Sequence, residues 1–412
     1  MDKVFITDIR ERSALAIIRS LGRKGIRVEG SEYFSFPTGR FSKYLRKFVK
    51  TPSPFHSPIE FVDFFKEYLK VSDYSLVIPP AEASSFLFSY FLKKDCGDII
   101  GVPDFDIFKY AYDKGKTVEI CEKEGIPVPK TYFINSIDEL KYISKEIKYP
   151  VVIKPRSKFF VLKKGLSYKV AFLKVGSKNY VENPREFVER YMEIVKPYLP
   201  EIEEYGFLPL IQERVSGRGW GVAVIFDRDK PLCGFMHRRI YEYPPTGGAS
   251  TLRVSVWQKD IFEKACKLLK AIKWKGVAMV EFKVDENSKR FWVMEINGRF
   301  WGSLPLAINS GVDFPYLFYL YWVKGKRFSK FIKSQEGIFQ KWGSGQILRF
   351  FWFLKRFKFS RVFEEFLNTF FISDDVLTLR DPLPALGEVL TFLNFLREIK
   401  KGLRTAEGES RR

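Results

Sequence analysis

With 412 residues, 46% of them hydrophobic and 42 of them Phe, the chain is long enough for two or three domains and rich enough in apolar side chains to exclude wholesale disorder. Lys and Arg outnumber Asp and Glu by 70 to 49, and the net charge of +21 favours anionic partners such as nucleotides, acidic metabolites, nucleic acid or an anionic membrane. Four scattered cysteines with no CxxC pair, and only His56 and His237 as imidazoles, argue against a disulfide framework, a zinc ribbon or a His-rich metal site and point to a reducing cytoplasm.

Charged from Asp2 onward, the start does not read as a signal peptide, and the best apolar run, Phe314 to Val323, is about half a membrane span. Val4 to Thr7 reads as a buried strand, Ser13 to Leu21 as a helix ended by Gly22 and Gly25, and Ile26 to Val28 as a second strand. A helix at Ile59 to Leu69 and a strand at Ser75 to Pro79 repeat the alternation. This pattern predicts an open parallel sheet with helices on both faces, its strand-end loops Thr7-Asp8 and Pro79 to Ser84 facing a cleft. No GxGxxG turn supports dinucleotide binding.

Next come a helix from Lys114 to Glu124, closed by Gly125, and the stiff extended Ile126-Pro127-Val128-Pro129. Helix Ile137 to Ile147 leads into the apolar strand Tyr149 to Lys154, followed by a basic, looped stretch from Arg156 to Val181. Leu208 to Arg214 and Gly221 to Phe226 read as strands joined by the turn Ser216 to Gly219. Val277 to Val284 and Arg290 to Ile296 form a hairpin. The last 80 residues read as helical, punctuated by Gly343, Gly345 and Asp381-Pro382-Leu383-Pro384.

The hairpin carries the most informative chemistry. Glu281 and Glu295 sit inside apolar strands, and Asn297 shares the face of Glu295. Such carboxylates are costly unless something positive meets them, and two carboxylates with an amide are hard oxygen donors suited to Mg²⁺. Arg299 stands beside them, able to clamp a phosphate or carboxylate. The competing reading is the outward polar face of an amphipathic hairpin. Lys154 ends a buried strand and Lys114 opens a helix, both places from which a lysine reaches phosphate. Either one alone is also an ordinary surface lysine.

Taken in order, Asp113-Lys114, EGIPVPKT (124–131), YPVVIKP (149–155), IQERVSG (211–217), a Gly-Gly loop, VEF (280–282) and MEINGR (294–299) resemble the ATP-grasp superfamily of carboxylate–amine ligases, relatives of biotin carboxylase and D-alanine–D-alanine ligase. The resemblance covers about residues 1–325. It implies an α/β chain: an N-terminal open parallel pre-ATP-grasp domain (1–110), a two-lobed α+β ATP-grasp domain whose small lobe and lid take 111–206 and whose large lobe with the metal site takes 207–325, and a basic, aromatic, helical C-terminal extension (326–412). It also implies that Lys114 and Lys154 bind the α- and β-phosphates of ATP. Gln212, Glu213 and Val215 would form the adenine hinge. Glu281, Glu295 and Asn297 would hold one or two Mg²⁺, with Mn²⁺ as a substitute, and Arg299 would stabilise an acyl phosphate.

The implied reaction is activation of a carboxylate by ATP and its capture by an amine, releasing ADP and phosphate. Arg238, Arg239, Arg253 and the loop Gly247-Gly248-Ala249-Ser250 would face the small-molecule substrates, while His237 reads as a packing residue. Two departures stand out: the lid, Arg156-Ser157-Lys158-Phe159-Phe160 with Lys163, Lys164 and Gly165, is basic where the family is Gly/Ser-rich, and Arg218 to Gly221 replaces a ribose-binding carboxylate. The rival class is a non-catalytic nucleotide-binding adaptor for nucleic acid or an anionic membrane. A homodimer is left open.

Residues 320–361 hold eleven Lys or Arg, one acid (Glu336) and twelve aromatics, a net +10. Ile347, Phe350, Phe351, Leu354 and Phe357 recur at helical spacing with Arg349 and Arg356 opposite. Three readings stay open: packing on the protein's own core, contact with the inner membrane face or a lipid-linked substrate, and, weakest, stacking on nucleic acid. The stripe from Leu386 to Ile399 reads as core.

Overall fold

The computed structural model describes residues 2–157, 159–164, 167–172, 179–196, 199, 202, 208–245 and 248–400. Four parallel strands, β1 (Lys3–Ile6), β2 (Arg27–Glu32), β3 (Leu45–Lys50) and β4 (Leu76–Ile78), form the first sheet in the order β3-β2-β1-β4. Successive side chains of β1 serve opposite faces. Val4 and Ile6 pack with Ile17, Ile18 and Leu21 of α1 (Arg12–Arg23), whereas Phe5 packs with Phe61 and Phe65 of α2 (Pro58–Lys70). Full burial of each of these large side chains contributes about 2–3 kcal/mol. The βαβ expectation therefore holds, with helices on both faces.

A second, antiparallel sheet has the order β5-β10-β6-β9, from β5 (Thr131–Tyr132), β6 (Val151–Lys154), β9 (Tyr180–Val181) and β10 (Leu210–Glu213). The hairpin of β7 (Phe159–Lys164) and β8 (Ser167–Phe172) stands apart from it. Because β10 returns to pair with β6, this sheet runs to Glu213, beyond the expected boundary at 206. The segments around 210 and 222, expected as neighbouring strands, belong to different sheets, and the strand through 222 already begins at Arg218. The lid expectation on Lys158, Gly165 and the side chains of Phe159, Phe160, Lys163 and Lys164, like that on Gly247, lies outside the described residues.

The third sheet is antiparallel along β15-β14-β11-β12-β13-β17. Its strands are β11 (Arg218–Asp227), β12 (Lys230–Tyr243), β13 (Ala249–Val256), β14 (Lys275–Val284), β15 (Phe291–Asn297) and β17 (Phe339–Lys341), with β16 (Ile332–Lys333) pairing parallel to β12. Val222 and Val224 face one core with α4 (Lys259–Ala271), while Ala223 and Ile225 face the core shared with β1 and α1. Each of these two cores holds residues of both the first and the third sheet, tying the sheets together. β16 and β17 extend the third sheet past residue 325, so the final segment is not purely helical.

That segment ends in α5 (Gly343–Leu354), α6 (Phe359–Thr369) and α7 (Pro384–Lys400). Two expectations fail here. The apolar stripe of α7 (Leu386, Val389, Leu393, Leu396) is exposed rather than core, because α7 lies on Thr38–Phe41 through Gly387 and Thr391 instead. Arg349 is not on a solvent face: it is buried in a paired contact with Glu365 of α6. Phe357 lies beyond the end of α5.

Candidate active site

β14 and β15 pair so that Glu281 stands directly opposite Glu295 and Met279 opposite Asn297. A bulge follows at Glu281/Phe282, so the three polar side chains share one face. The Asn297 amide donates to Glu281 Oε1 (3.3 Å) and Glu295 Oε1 (3.4 Å), and Arg299 Nη2 donates to Asn297 Oδ1 (3.0 Å). Each carboxylate also meets a cation. Arg239 Nη2 lies 2.7 Å from Glu281 Oε2, and Lys114 Nζ lies 3.2 Å from Glu295 Oε2. Burial pushes the Glu281 carboxyl up, against the opposing pull of Arg239, and the same carboxylate holds the Arg239 guanidinium above its ordinary value.

Lys154 and Gln212 project from the second sheet on one face, since β6 and β10 pair Lys154 with Leu210 and Val152 with Gln212. Lys154 Nζ donates to Gln212 Oε1 (2.6 Å), and Gln212 Nε2 donates to Thr131 Oγ1 (2.9 Å). Desolvation, then the charge of Lys114, lowers the Lys154 ammonium to about 8. Lys114 is the first residue of α3 (Lys114–Lys123), capped by Asp113, whose Oδ1 accepts from Gly115 N at 2.8 Å. Asp113 is in turn gripped by Arg156 at 3.0 and 2.9 Å, and Lys114 N donates to Arg156 O (2.8 Å). This clasp locks the helix carrying Lys114 onto the strand carrying Lys154. Arg156 is therefore committed to Asp113 and is not a lid cation.

Four cations (Lys114, Lys154, Arg239, Arg299) and two carboxylates (Glu281, Glu295) leave this cluster at +2, a balance that suits a polyphosphate. Glu213 ends β10 and donates its backbone N–H to Lys130 O (2.9 Å), and Val215 lies in the crossover from there to the strand that begins at Arg218. A cleft of about 20 Å³ opens at Lys114, Glu295, Asn297 and Arg299, walled by Ser85 and Phe86 of the N-terminal segment. A larger cavity of about 330 Å³ lies away from it, between α1 and residues 373–381, and none of the candidate residues lines it.

The expected substrate residues scatter. Arg239 joins the cluster, and its Nη1 reaches Gly248 O (3.4 Å). Arg238 points to Glu286 (2.9 Å), and Ser250 Oγ is engaged with Leu252 O (3.2 Å). Arg253 is fully buried against Asp375, which also takes Arg12, so its guanidinium ties the C-terminal segment to the sheet rather than meeting the cluster. His237 packs flat on Phe235 and approaches Ser303 Oγ (3.3 Å); burial, helped by Arg239 and Arg253, holds its imidazole well below the usual value.

The sequence alone does not reveal the Asp113–Arg156 clasp, the Arg239–Glu281 pair, or the two strand glycines that make room for Arg239 (Gly219) and for the His237 ring (Gly221). A Cβ on Gly219 would stand 2.8 Å from Arg239 Cδ, and one on Gly221 would strike the His237 ring. Gly-x-Gly inside a strand is the available signal of a close approach.

The family description "ATP-grasp in the biosynthetic pathway with Ter operon" matches residues 211–344, the stretch that holds Gln212, Arg239 and the Glu281/Glu295 hairpin. Over that stretch, about a third of the chain, the match is to an ATP-grasp domain. The carbamoyl phosphate synthase large chain of Pyrococcus furiosus is 29% identical over 209 residues, 48% of this chain, which spans only 17% of that relative's length. The biotin carboxylase domain of Hydrogenobacter thermophilus 2-oxoglutarate carboxylase, solved with MgADP and bicarbonate, superposes with a TM-score of 0.61 at 16% identity, covering 82% of this chain and 73% of that one. The L-amino acid ligase of Bacillus licheniformis gives 0.56 at 15% identity, over 79% and 74%. At these identities the two structures establish the shared fold.

Proposed function

We propose that this protein is an ATP-grasp ligase, dependent on ATP and Mg²⁺, that activates a substrate carboxylate as an acyl phosphate and joins it to an amine, releasing ADP and phosphate. The observation that carries this reading is the facing Glu281, Glu295 and Asn297, set against Lys114 from the start of α3 and Lys154 from the second sheet. Half-buried carboxylates with an amide between them fit a hard divalent cation better than they fit an apolar core. Among the described residues there is no group of three or more His, Cys, Asp or Glu that could hold a metal, so Glu281, Glu295 and Asn297 would be completed by phosphate and solvent oxygens. When bound, Mg²⁺ neutralises charge on the transferring phosphoryl group.

The chain's own residues supply the positioning. Lys114 and Lys154 hold the phosphate oxygens, and Gln212 and Thr131 orient the Lys154 ammonium. The γ-phosphoryl moves to the substrate carboxylate oxygen as its bond to ADP breaks. The amine nitrogen then attacks the acyl carbon, and phosphate leaves with the C–O bond electrons. Arg299, held by Asn297 Oδ1 and the Phe300 carbonyl, stabilises the acyl phosphate and the oxyanion that follows it. Arg239 opposes the rise that burial imposes on the Glu281 carboxyl beside this chemistry. Carbamoyl phosphate synthase and L-amino acid ligase, named among the similar proteins, support ATP-dependent ligation as the reaction class.

The test is an assay for ADP and phosphate release with ATP, Mg²⁺ and pooled carboxylic acids and amines, amino acids included. Release that needs both pools is expected. AMP as product overturns the acyl-phosphate route, and silence across broad pools with intact nucleotide binding indicates an adaptor instead.

A further inference from the structure

α5 and α6 form a short helical hairpin closed by the turn Lys355–Lys358 and pinned inside by the buried Arg349–Glu365 pair. Its outer face is apolar. Ile347, Phe350 and Phe351 on α5 and Phe363, Phe366 and Leu367 on α6 are all exposed. Phe357, at the corner, is 81% exposed, and Phe371, just past α6, is 95% exposed. So much contiguous exposed aromatic surface marks an interaction site.

The charges say what kind. Lys355, Arg356, Lys358 and Arg361 are exposed around the corner. Of the acids nearby, Glu365 is buried with Arg349 and Asp375 with Arg12 and Arg253, while the exposed Glu364 is neutralised at the surface by Arg361 (3.2 Å). The accessible surface is therefore cationic and aromatic together. A second copy would bring the same cations and few free acids to meet them, whereas an anionic bilayer neutralises the cations and takes up the rings. Twelve residues of α5 measure about 18 Å, well short of a bilayer core, and among the described residues no helix is long and apolar enough to cross a membrane. The geometry is that of an interfacial element.

We propose that the α5–α6 hairpin docks on an anionic lipid surface, its corner ring Phe357 entering the headgroup region between Lys355, Arg356 and Lys358. Phe357 has φ 56°, a left-handed backbone that is unfavourable for a bulky aromatic and natural for Asn or Gly. The strained residue holds out an exposed ring in place of a turn-former. Docking of this kind does not depend on the ligase reading. It would, however, hold the site in fixed relation to the bilayer, because Arg349 also reaches the backbone oxygen of Glu242, whose side chain meets Arg239.

The full chain is sedimented with phosphatidylcholine vesicles, with or without phosphatidylglycerol. Pelleting at low salt with the anionic vesicles, little with phosphatidylcholine alone, and partial release by added salt are expected. Replacing Lys355 and Lys358 by Ser weakens partitioning by roughly fivefold per charge, roughly thirtyfold together. Phe357→Asn separates the roles: a docking ring predicts weaker partitioning with an unchanged or raised melting temperature, and a packing ring predicts a lowered one. Phe371→Ser repeats the test at a second exposed ring. Failure to pellet at low salt, wild-type partitioning by the Lys355/Lys358 variant, or a dimer in light scattering that Phe357→Asn dissolves without any vesicle binding overturns the proposal.

Discussion

Lys154 ties the structure to a pH dependence with two opposite signs. Its ammonium is lowered to about 8 from an ordinary value of 10.5, chiefly by desolvation and then by Lys114. Without nucleotide the protonated form is disfavoured in the fold, and the penalty, about 3 kcal/mol, is fully present below pH 8. It fades between pH 8 and 10.5, where the folded lysine has lost its proton and the unfolded one has not, so this group makes the free protein more stable as pH rises through that window. Nucleotide affinity moves the other way. Phosphate needs the charged lysine, which is about nine-tenths populated at pH 7 and about one-tenth at pH 9, so affinity falls roughly tenfold per pH unit above 8. Isothermal titration calorimetry with Mg²⁺ and a non-hydrolysable ATP analogue at pH 7, 8 and 9 measures this. Lys154→Arg, charged throughout, should bind with a flat profile. A flat wild type, or a Lys154→Arg variant with the wild-type slope, refutes the placement of Lys154 on phosphate.

Glu295→Gln keeps the side-chain shape and loses the charge beside Lys114, so turnover should fall by about a hundredfold or more while circular dichroism is unchanged. Gly219→Ala crowds only the flexible Arg239 stem and should reduce activity with a near-normal melting temperature, whereas Gly221→Ala meets the buried His237 ring and should destabilise by about 1–3 kcal/mol in urea titrations. Arg19→Ala removes a buried guanidinium bound to the Asp381 side chain and to the backbone oxygens of Asp375, Val376 and Asp381; a loss of about 3–5 kcal/mol and faster proteolysis after α6 are expected.

How far the amino-acid sequence alone reveals each feature depends on how local the physical cause is. The β1 strand and the Glu281/Glu295 hairpin are legible because strand periodicity acts over a few residues, and a carboxylate breaking an apolar strand calls for a charged partner. Family order along the chain adds Lys114 and Lys154. The partners themselves are not legible: Arg239 reaches Glu281 across β11 past Gly219, where a Cβ would crowd its stem, and Arg156 finds Asp113 across a helix start 43 residues upstream. Arg253 resembles a substrate residue because a strand arginine beside a Gly-Gly loop gives no hint of Asp375, 122 residues away.

The same limit explains the C-terminal segment. Helical periodicity states that one face of α7 is apolar; it cannot state that Gly387 rather than the leucine stripe meets Thr38. Net charge behaves similarly. Each buried pair, Arg349–Glu365, Arg253–Asp375 or Arg19–Asp381, removes one base and one acid from the surface and leaves the sum of +21 unchanged. After residue 320, where acids number ten against eighteen bases, those pairs take Glu365, Asp375 and Asp381 inside while Lys355, Arg356, Lys358 and Arg361 stay exposed. The accessible surface around the α5–α6 corner is therefore more cationic than composition alone conveys, and the rings exposed between those cations meet a partner that presents negative charge and an apolar interior together.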